Sequence, residues 1–158
     1  TIYYGDEQGF VSDGNDQLAR ENMFASKVAV YNDNDLVGTN ATTATANFDP
    51  AHALYRHIAA LADIRRKTPA LMRGATKVRA FSDKPGLLAI SRFDPASGRE
   101  VVLAYNTSAT QLSATIAIDM KSTVFTALHG DCPAAAAVPG SLSFSLPPFG
   151  TIICQASE

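Results

Sequence analysis

The sequence predicts a fold in two parts. Residues 1 to 74 contain one strand followed by helices and loops, and residues 75 to 158 form an all-β antiparallel sandwich. The deciding observation is a change of hydrophobic period near Gly74, from three or four residues to two. A second is the series of Pro, Gly and Asp turn signals after Gly74. With 158 residues and 46% hydrophobic content, the chain is long enough to bury a core.

The first part opens on residues 2–4, Ile-Tyr-Tyr, which are β-prone and end at Gly5 before an acidic turn. We predict a strand here. Because it has no start signal before it, we expect Thr1 to be a cut end inside a longer fold. A short helix is predicted over 19–31, where apolar residues share one side, and an irregular polar loop over 37–47. The apolar residues of the short helix are Met23, Phe24, Val28 and Tyr31.

A longer helix is predicted from Asp49-Pro50 to about residue 66. Asp49 can accept the first free backbone N–H groups, and Pro50 is well tolerated at the first helical position. The apolar stripe consists of Leu54, Ile58, Leu61 and Ala62. Since the first part cannot supply a full partner for this stripe, we expect it to be partly exposed and most of a barrel to be missing.

Short alternating segments separated by turns are typical of an antiparallel sandwich or barrel. The predicted strands are Lys77–Ser82, Leu87–Phe93, Glu100–Asn106, Thr110–Ile118, Val124–Leu128, Ser141–Leu146 and Thr151–Gln155. Residues 130–140 are predicted to be a long, Ala-rich loop between two of them.

Several motifs of the first part resemble the alpha-amylase family of glycoside hydrolases. The Tyr-Tyr-Gly-Asp-Glu run at 3–7 resembles the eighth strand of that family's catalytic (TIM-type) barrel and the start of its loop. Arg20-Glu-Asn-Met-Phe resembles the Arg-x-x-Met-aromatic element that follows an Asp- and Gly-rich stretch. The helix ending in 61–71, then Gly74, resembles the closing helix and its exit into the C-terminal β-sandwich.

This resemblance implies that the chain is the C-terminal portion of an enzyme acting on alpha-linked glucans such as starch, as a hydrolase or transglycosidase. The three catalytic acids of that family lie on earlier barrel strands, so no catalytic residue is assigned here and the chain alone is expected to be inactive. The implied partners are the missing N-terminal barrel segment and the alpha-glucan. No cofactor is expected in this chain, and the parent enzyme's calcium would be bound through absent segments. Relatives are often exported, which favours an extracellular or periplasmic location.

The acidic turn is the candidate site. Glycoside hydrolysis needs two carboxyl groups on either side of one bond, but the adjacent residues Asp6 and Glu7 would point to opposite sides of an extended segment. We therefore expect only a supporting role at the rim of the substrate cleft for a small group of side chains. These are Tyr4, Asp6, Glu7, Asp16 and Arg20, with Asp13 also considered. The favoured structural alternative is that they stabilise turns or form surface ion pairs.

Metal sites are poorly supported. Residues 32–35, Asn-Asp-Asn-Asp, with Gly38 suggest a calcium loop, but Ala44 stands where an EF-hand supplies its bidentate Glu, so a solvated turn is preferred. His52 and His57 are five residues apart and do not share a helix face, and His129 has no orienting group nearby. We expect surface or capping histidines.

Charge and cysteine content exclude several further classes. Lys and Arg number 13 against 15 Asp and Glu, and the basic cluster 65–67 ends a helix, so no nucleic-acid partner is predicted. No apolar run approaches the roughly 20 residues that span a bilayer. Cys132 and Cys154 could form a disulfide, but two separate buried thiols are favoured.

The alternative function is a non-catalytic carbohydrate-binding or interaction module, which should expose aromatic rings on one sheet face. The sequence contains no Trp, and its other aromatics in the second part lie mostly in apolar runs where core packing is expected. They are Phe81, Phe93, Tyr105, Phe125, Phe144 and Phe149.

Overall fold

The structure is a computed structural model that describes residues 1–11 and 14–157. The chain forms two compact units, Thr1–Asp63 (unit 1) and Ile64–Glu158 (unit 2). The longest helix runs across the point of division. The division predicted near Gly74, between a barrel part and a sandwich, stays a prediction.

Unit 1 has little regular structure before its helix. Its first elements are two 3-10 turns, Asp6–Gln8 and Ala29–Tyr31. The predicted strand at 2–4 is not formed, because no described strand of the chain pairs with it and a strand needs a ladder partner. The helix predicted over 19–31 is also wrong: these residues are mostly irregular and end in the 3-10 turn Ala29–Tyr31. The loop 37–47 is irregular, as predicted.

Two helices follow, α1 (Ala53–Lys67) and α2 (Pro69–Arg73). Thr68 separates them in an extended conformation, and Pro69 then opens α2 at the position where its missing N–H costs least. No residue of α1 is fully buried. The stripe residues Leu54, Ile58 and Leu61 are half-buried, which confirms the expected partial exposure.

Unit 2 is built from antiparallel strands in the described residues. They are β1 (Ala75–Phe81), β2 (Leu87–Phe93), β3 (Glu100–Asn106), β4 (Leu112–Ala117), β5 (Phe125–His129), β6 (Ser141–Leu146) and β7 (Thr151–Ala156). They form a five-stranded sheet in the order β1-β2-β3-β7-β5 and a two-stranded sheet of β4 and β6. All seven predicted strands are present, and the predicted all-β antiparallel character is confirmed.

The core of unit 2 lies between the two sheets. Phe144 and Leu146 of β6 belong to the same buried apolar cluster as Val102 and Ala104 of β3. The intervening β3 residues Val101 and Leu103 are also buried, because α2 packs on the opposite face of β2 and β3. Strand β3 is therefore buried on both faces, which explains its continuous apolar run.

A disulfide joins Cys132 to Cys154, so the prediction of two separate thiols is wrong. Cys154 lies fully buried on β7, and Cys132 lies in the loop after β5. Residues separated by 22 positions meet here because β5 and β7 are paired neighbours in the sheet. The bond ties the Ala-rich loop to the core.

Candidate functional site

The acidic turn Asp6–Gln8 is shaped by two glycines. Gly5 and Gly9 both have positive φ, 94° and 75°, where other residues are strained. A Cβ atom on Gly9 would also lie 2.6 Å from the carbonyl oxygen of Val37. Asp6 closes the turn by accepting the backbone N–H of Tyr3 on its Oδ2 at 2.7 Å.

Gln8 fastens this turn to the segment before α1. Its side chain is buried, its Nε2 donates to the carbonyl of Asp49 at 3.1 Å, and its Oε1 accepts the N–H of Asp49 at 2.9 Å. Both polar ends of one side chain are thus paired with one backbone position. Sequence reasoning did not single out Gln8; an amide directly after two acids carries no local signal of burial.

Three of the five predicted site residues line one open cavity of about 320 Å³. Tyr4, Asp6 and Arg20 lie around it with Tyr3, Phe10 and Glu21. The hydroxyl of Tyr4 accepts the backbone N–H of Met23 at 2.9 Å, which fixes its ring against the following segment. The cavity therefore combines aromatic walls with both signs of charge, a lining suited to a polar, ring-shaped ligand.

Asp16 and Arg20 form an exposed ion pair. Nη2 of Arg20 lies 3.3 Å from Oδ2 of Asp16, and its Nε donates to the Asp16 carbonyl at 3.1 Å. The two side chains are 70% and 82% exposed, so the pair contributes little to stability. It is available to hydrogen-bond a ligand.

Glu7 does not join this group. It lines a different cavity with Ile2, Tyr55, Ile58 and Ala59. Asp6 and Glu7 therefore do not face a common bond, in accord with their adjacency in the chain. Asp13 lies outside the described residues.

The histidines and the acidic loop have structural surroundings. His52 is buried and accepts the N–H of Leu54 on Nδ1 at 3.2 Å, so it is a capping histidine as predicted. Asn32 of the acidic loop bonds Ser26 and Thr43 through its side chain. Within the residues that the structure describes, no cluster of three or more His, Cys, Asp or Glu could hold a metal ion.

Unit 2 contains a buried polar cluster that sequence reasoning missed. Nη2 of Arg79 lies 2.6 Å from Oε1 of Glu100, and both side chains are almost fully buried. Ser91 donates to the same carboxylate, whose Oε2 accepts the N–H of Asp119 at 2.9 Å. The available sequence signal was Glu100, a charged residue at the first position of β3, the most apolar strand. The carboxylate accepts three hydrogen bonds, so the cluster fastens the strands to one another.

The aromatics of unit 2 only partly follow the prediction of core packing. Phe125 and Phe144 are buried, and Phe93 and Tyr105 are half-buried. Burial raises the pKa of Tyr105 above its usual range. Phe81 and Phe149 are each 70% exposed, so core packing is wrong for these two.

No protein-family model matches the chain. It is 39% identical over 157 residues to the alpha-amylase of Streptomyces lividans, a match that covers 99% of this chain and 17% of that protein. The chain is homologous to part of an alpha-amylase. This confirms the resemblance to the alpha-amylase family seen in the motifs.

Solved structures show the same fold. The alpha-amylase of H. orenii superposes with a TM-score of 0.61 at 18% identity, over 99% of this chain and 32% of that one. An Anoxybacillus alpha-amylase gives 0.57 at 20% identity, over 78% and 26%. The Nostoc punctiforme debranching enzyme gives 0.56 at 17% identity, over 98% and 25%. The chain thus spans about a third or less of each relative.

Among the described residues, no helix combines the length and the apolar character that crossing a membrane requires.

Proposed function

We propose that this chain is the C-terminal part of an alpha-amylase-like glycoside hydrolase acting on alpha-linked glucans, and that it is inactive alone. The observation that carries the proposal is the 39% identity over 157 residues with an alpha-amylase of which the chain covers 17%. Such a share leaves most of a catalytic domain to another segment. The catalytic acids belong to that segment in this proposal.

Unit 1 supplies the last β/α unit of a TIM-type barrel. The support is chemical: Ile2, Tyr3 and Tyr4 are β-prone yet between 49% and 75% exposed, a state that pairing with a neighbouring barrel strand would relieve. Phe24 and Phe48 form an exposed edge-to-face pair, with ring centroids 5.0 Å apart, and would be covered in the same way.

The acidic turn and its neighbours form part of the cleft wall. In a TIM-type barrel the loops after the strands line the active site, and the turn Asp6–Gln8 directly follows the proposed strand. Tyr4, Asp6 and Arg20 line one cavity, and the exposed Asp16–Arg20 pair has free hydrogen-bonding capacity for sugar hydroxyls. These residues orient substrate and carry no step of the chemistry.

Unit 2 stabilises the enzyme as a β-sandwich. Its disulfide and doubly covered β3 give it a core of its own. The Cys132–Cys154 bond also supports export, because disulfides persist in oxidising compartments.

The test is assay of the purified chain on starch, maltodextrin and pullulan, with and without the separately produced upstream segment of the parent enzyme. We expect no turnover by the chain alone, since Asp6 and Glu7 line different cavities and do not converge on one bond, and turnover when the two pieces dock. Activity of the chain alone that disappears in Asp6→Ala or Glu7→Ala would overturn the proposal.

The cleft-wall role is tested separately, by the kinetics of the complex between this chain and the upstream segment. Arg20→Ala should raise KM more than it lowers kcat, because it removes a contact made to the bound glucan. Asp33→Ala, an exposed acid in the loop away from the cavity, is the matched control and should leave both parameters unchanged. An unchanged KM in Arg20→Ala would remove the cleft-wall assignment and leave the assignment to the enzyme intact.

A further inference from the structure

His52 is placed where three segments of unit 1 meet. The residue is 8% exposed. On one side Nε2 lies 3.0 Å from the carbonyl oxygen of Val37, and on the other Nδ1 lies 3.2 Å from the backbone nitrogen of Leu54 at the start of α1. Val37 in turn donates its N–H to the carbonyl of Gly9, which follows the acidic turn, at 2.8 Å. His52 therefore connects α1, the polar loop and the acidic turn.

The two contacts define the state of the ring. A carbonyl oxygen can only accept a hydrogen bond, so Nε2 must carry the hydrogen that faces Val37. The N–H of Leu54 can only donate, so Nδ1 must be unprotonated. The structure thus requires the neutral Nε2–H tautomer. A proton on Nδ1 would place two donors 3.2 Å apart and remove the acceptor for Leu54.

We infer that neutral His52 is a positioning residue that fastens the loop 36–41 to α1 and so holds the acidic turn in place, and that protonation of its Nδ1 releases this latch. Imidazole is the side chain whose charge changes at physiological pH, and its neutral form alone can accept the N–H of Leu54. The latch stands on the hydrogen bonds alone. Its consequence for a glucan cleft rests on the proposed function.

Two charged groups face the same cavity as the ring. Asp49 accepts the N–H of Ala51 on its Oδ1, and Arg56 lies one turn along α1. The other residues lining this cavity are uncharged; they are Gln8, Leu36, Gly38, Thr39, Ala41, Asn47, Ala51 and Ala53.

The chain offers a matched set of variants. His52→Asn replaces the ring by a side chain whose oxygen caps a helix start and does not titrate between pH 5 and pH 8. His57→Asn changes an exposed histidine of the same helix and is the control. Gln8→Ala removes the two hydrogen bonds between the acidic turn and Asp49 and leaves both hydrogen bonds of the His52 ring in place. It shows how the spectrum changes when the turn is loosened at every pH.

The measurement is nuclear magnetic resonance of the full 158-residue chain, labelled with ¹⁵N, between pH 8 and pH 5. We expect the ring nitrogens of His52 to report the Nε2–H tautomer at pH 8. The protection of the Leu54 amide against hydrogen exchange, corrected for intrinsic rates, should fall on the order of tenfold at pH 5. The same fall is expected in His57→Asn, and none in His52→Asn.

Two results would overturn the inference: an Nδ1–H tautomer at pH 8, or a loss of Leu54 protection that persists in His52→Asn. If that variant does not fold, the unmodified chain still decides, because the ring titration of His52 and the shift of the Leu54 amide must share one midpoint. The experiment uses no glucan and no upstream segment. Its failure is therefore distinct from failure of the glycosidase proposal.

Discussion

Unit 1 and unit 2 are held together by different interactions. In unit 2 the strands satisfy one another's backbone groups, and a continuous apolar cluster fills the space between the sheets. In the described part of unit 1, Met23 and Leu36 are the buried apolar side chains. Its irregular backbone is instead fastened by buried polar side chains. These are Gln8, Thr43, Asn47 and His52.

The comparison shows that polar side chains can order a backbone even where little apolar surface is buried. A polar clamp such as Gln8 on Asp49 fixes geometry, but each hydrogen bond replaces one made to water and contributes only about 1 kcal/mol net. The free energy gained by burying apolar surface increases with the area that is buried. Unit 1 is therefore expected to be the less stable of the two units.

The largest expected difference is in limited proteolysis. A nonspecific protease should cut first between Val37 and Asn47, because this loop is irregular and lies outside any ladder. The fragment from about residue 75 onward should persist. Mass spectrometry of timed digests gives the order of cuts. Early cleavage within 87–106, with unit 1 surviving, would reverse the comparison.

The second prediction asks whether unit 2 also depends on a polar cluster. Glu100→Gln leaves the buried charge of Arg79 without its counter-ion, and we expect a loss of about 3–5 kcal/mol in the free energy of unfolding. Urea titration of unit 2 signals is the measurement. Ser91→Ala removes two hydrogen bonds, the one that its hydroxyl donates to Glu100 and the one that it accepts from Nε of Arg79, and should cost about 1–3 kcal/mol.

A double replacement sharpens that result. Arg79→Met with Glu100→Leu removes both charges, and an apolar pair in such a position is often as stable as the ion pair. Recovery of most of the lost stability would assign the effect to the uncompensated charge. A double variant as unstable as Glu100→Gln would instead show that the hydrogen bonds to Ser91 and Asp119 carry it.

The third prediction concerns the disulfide. The double variant Cys132→Ala, Cys154→Ala removes the covalent link between residues separated by 22 positions. We expect the free energy of unfolding of unit 2 to fall by about 3 kcal/mol. Calorimetry should show a lower melting temperature for unit 2, while proteolysis of the loop 37–47 proceeds at an unchanged rate. Faster cleavage of that loop would show that the two units share their stability.

The smallest effect is expected at Asp94, in the turn between β2 and β3. The backbone N–H groups of Ser97 and Ala96 hold the pKa of this carboxyl below its usual value. A pKa depressed in the folded state stabilises at neutral pH, and the stabilisation is lost as pH falls through it. The stability gap between the unmodified chain and Asp94→Ala should therefore shrink in acid. A gap that is constant with pH would contradict this.

Much of unit 2 was predictable because its signals are local. Alternation of period two placed all seven strands, and β2, β3 and β6 have the predicted bounds. Capping chemistry predicted the turn at Asp49-Pro50, where Asp49 accepts the N–H of Ala51, but α1 itself begins at Ala53, three residues later than predicted. The motifs around Tyr4, Asp6 and Arg20 pointed to the family, but their use as a cleft wall stays a proposal.

The tertiary structure decided what depends on distant partners. Residues 2–4 have the composition of a strand, but a strand forms only where another lies beside it, and none of the described strands does so here. Cys132 meets Cys154, and Glu100 meets Arg79, only because β7 pairs with β5 and β2 joins β1 to β3. Local pattern determines which segments are helix or strand, since that depends on neighbours along the chain. Which polar groups are buried together depends on the order of strands in the sheet, and no local pattern encodes it.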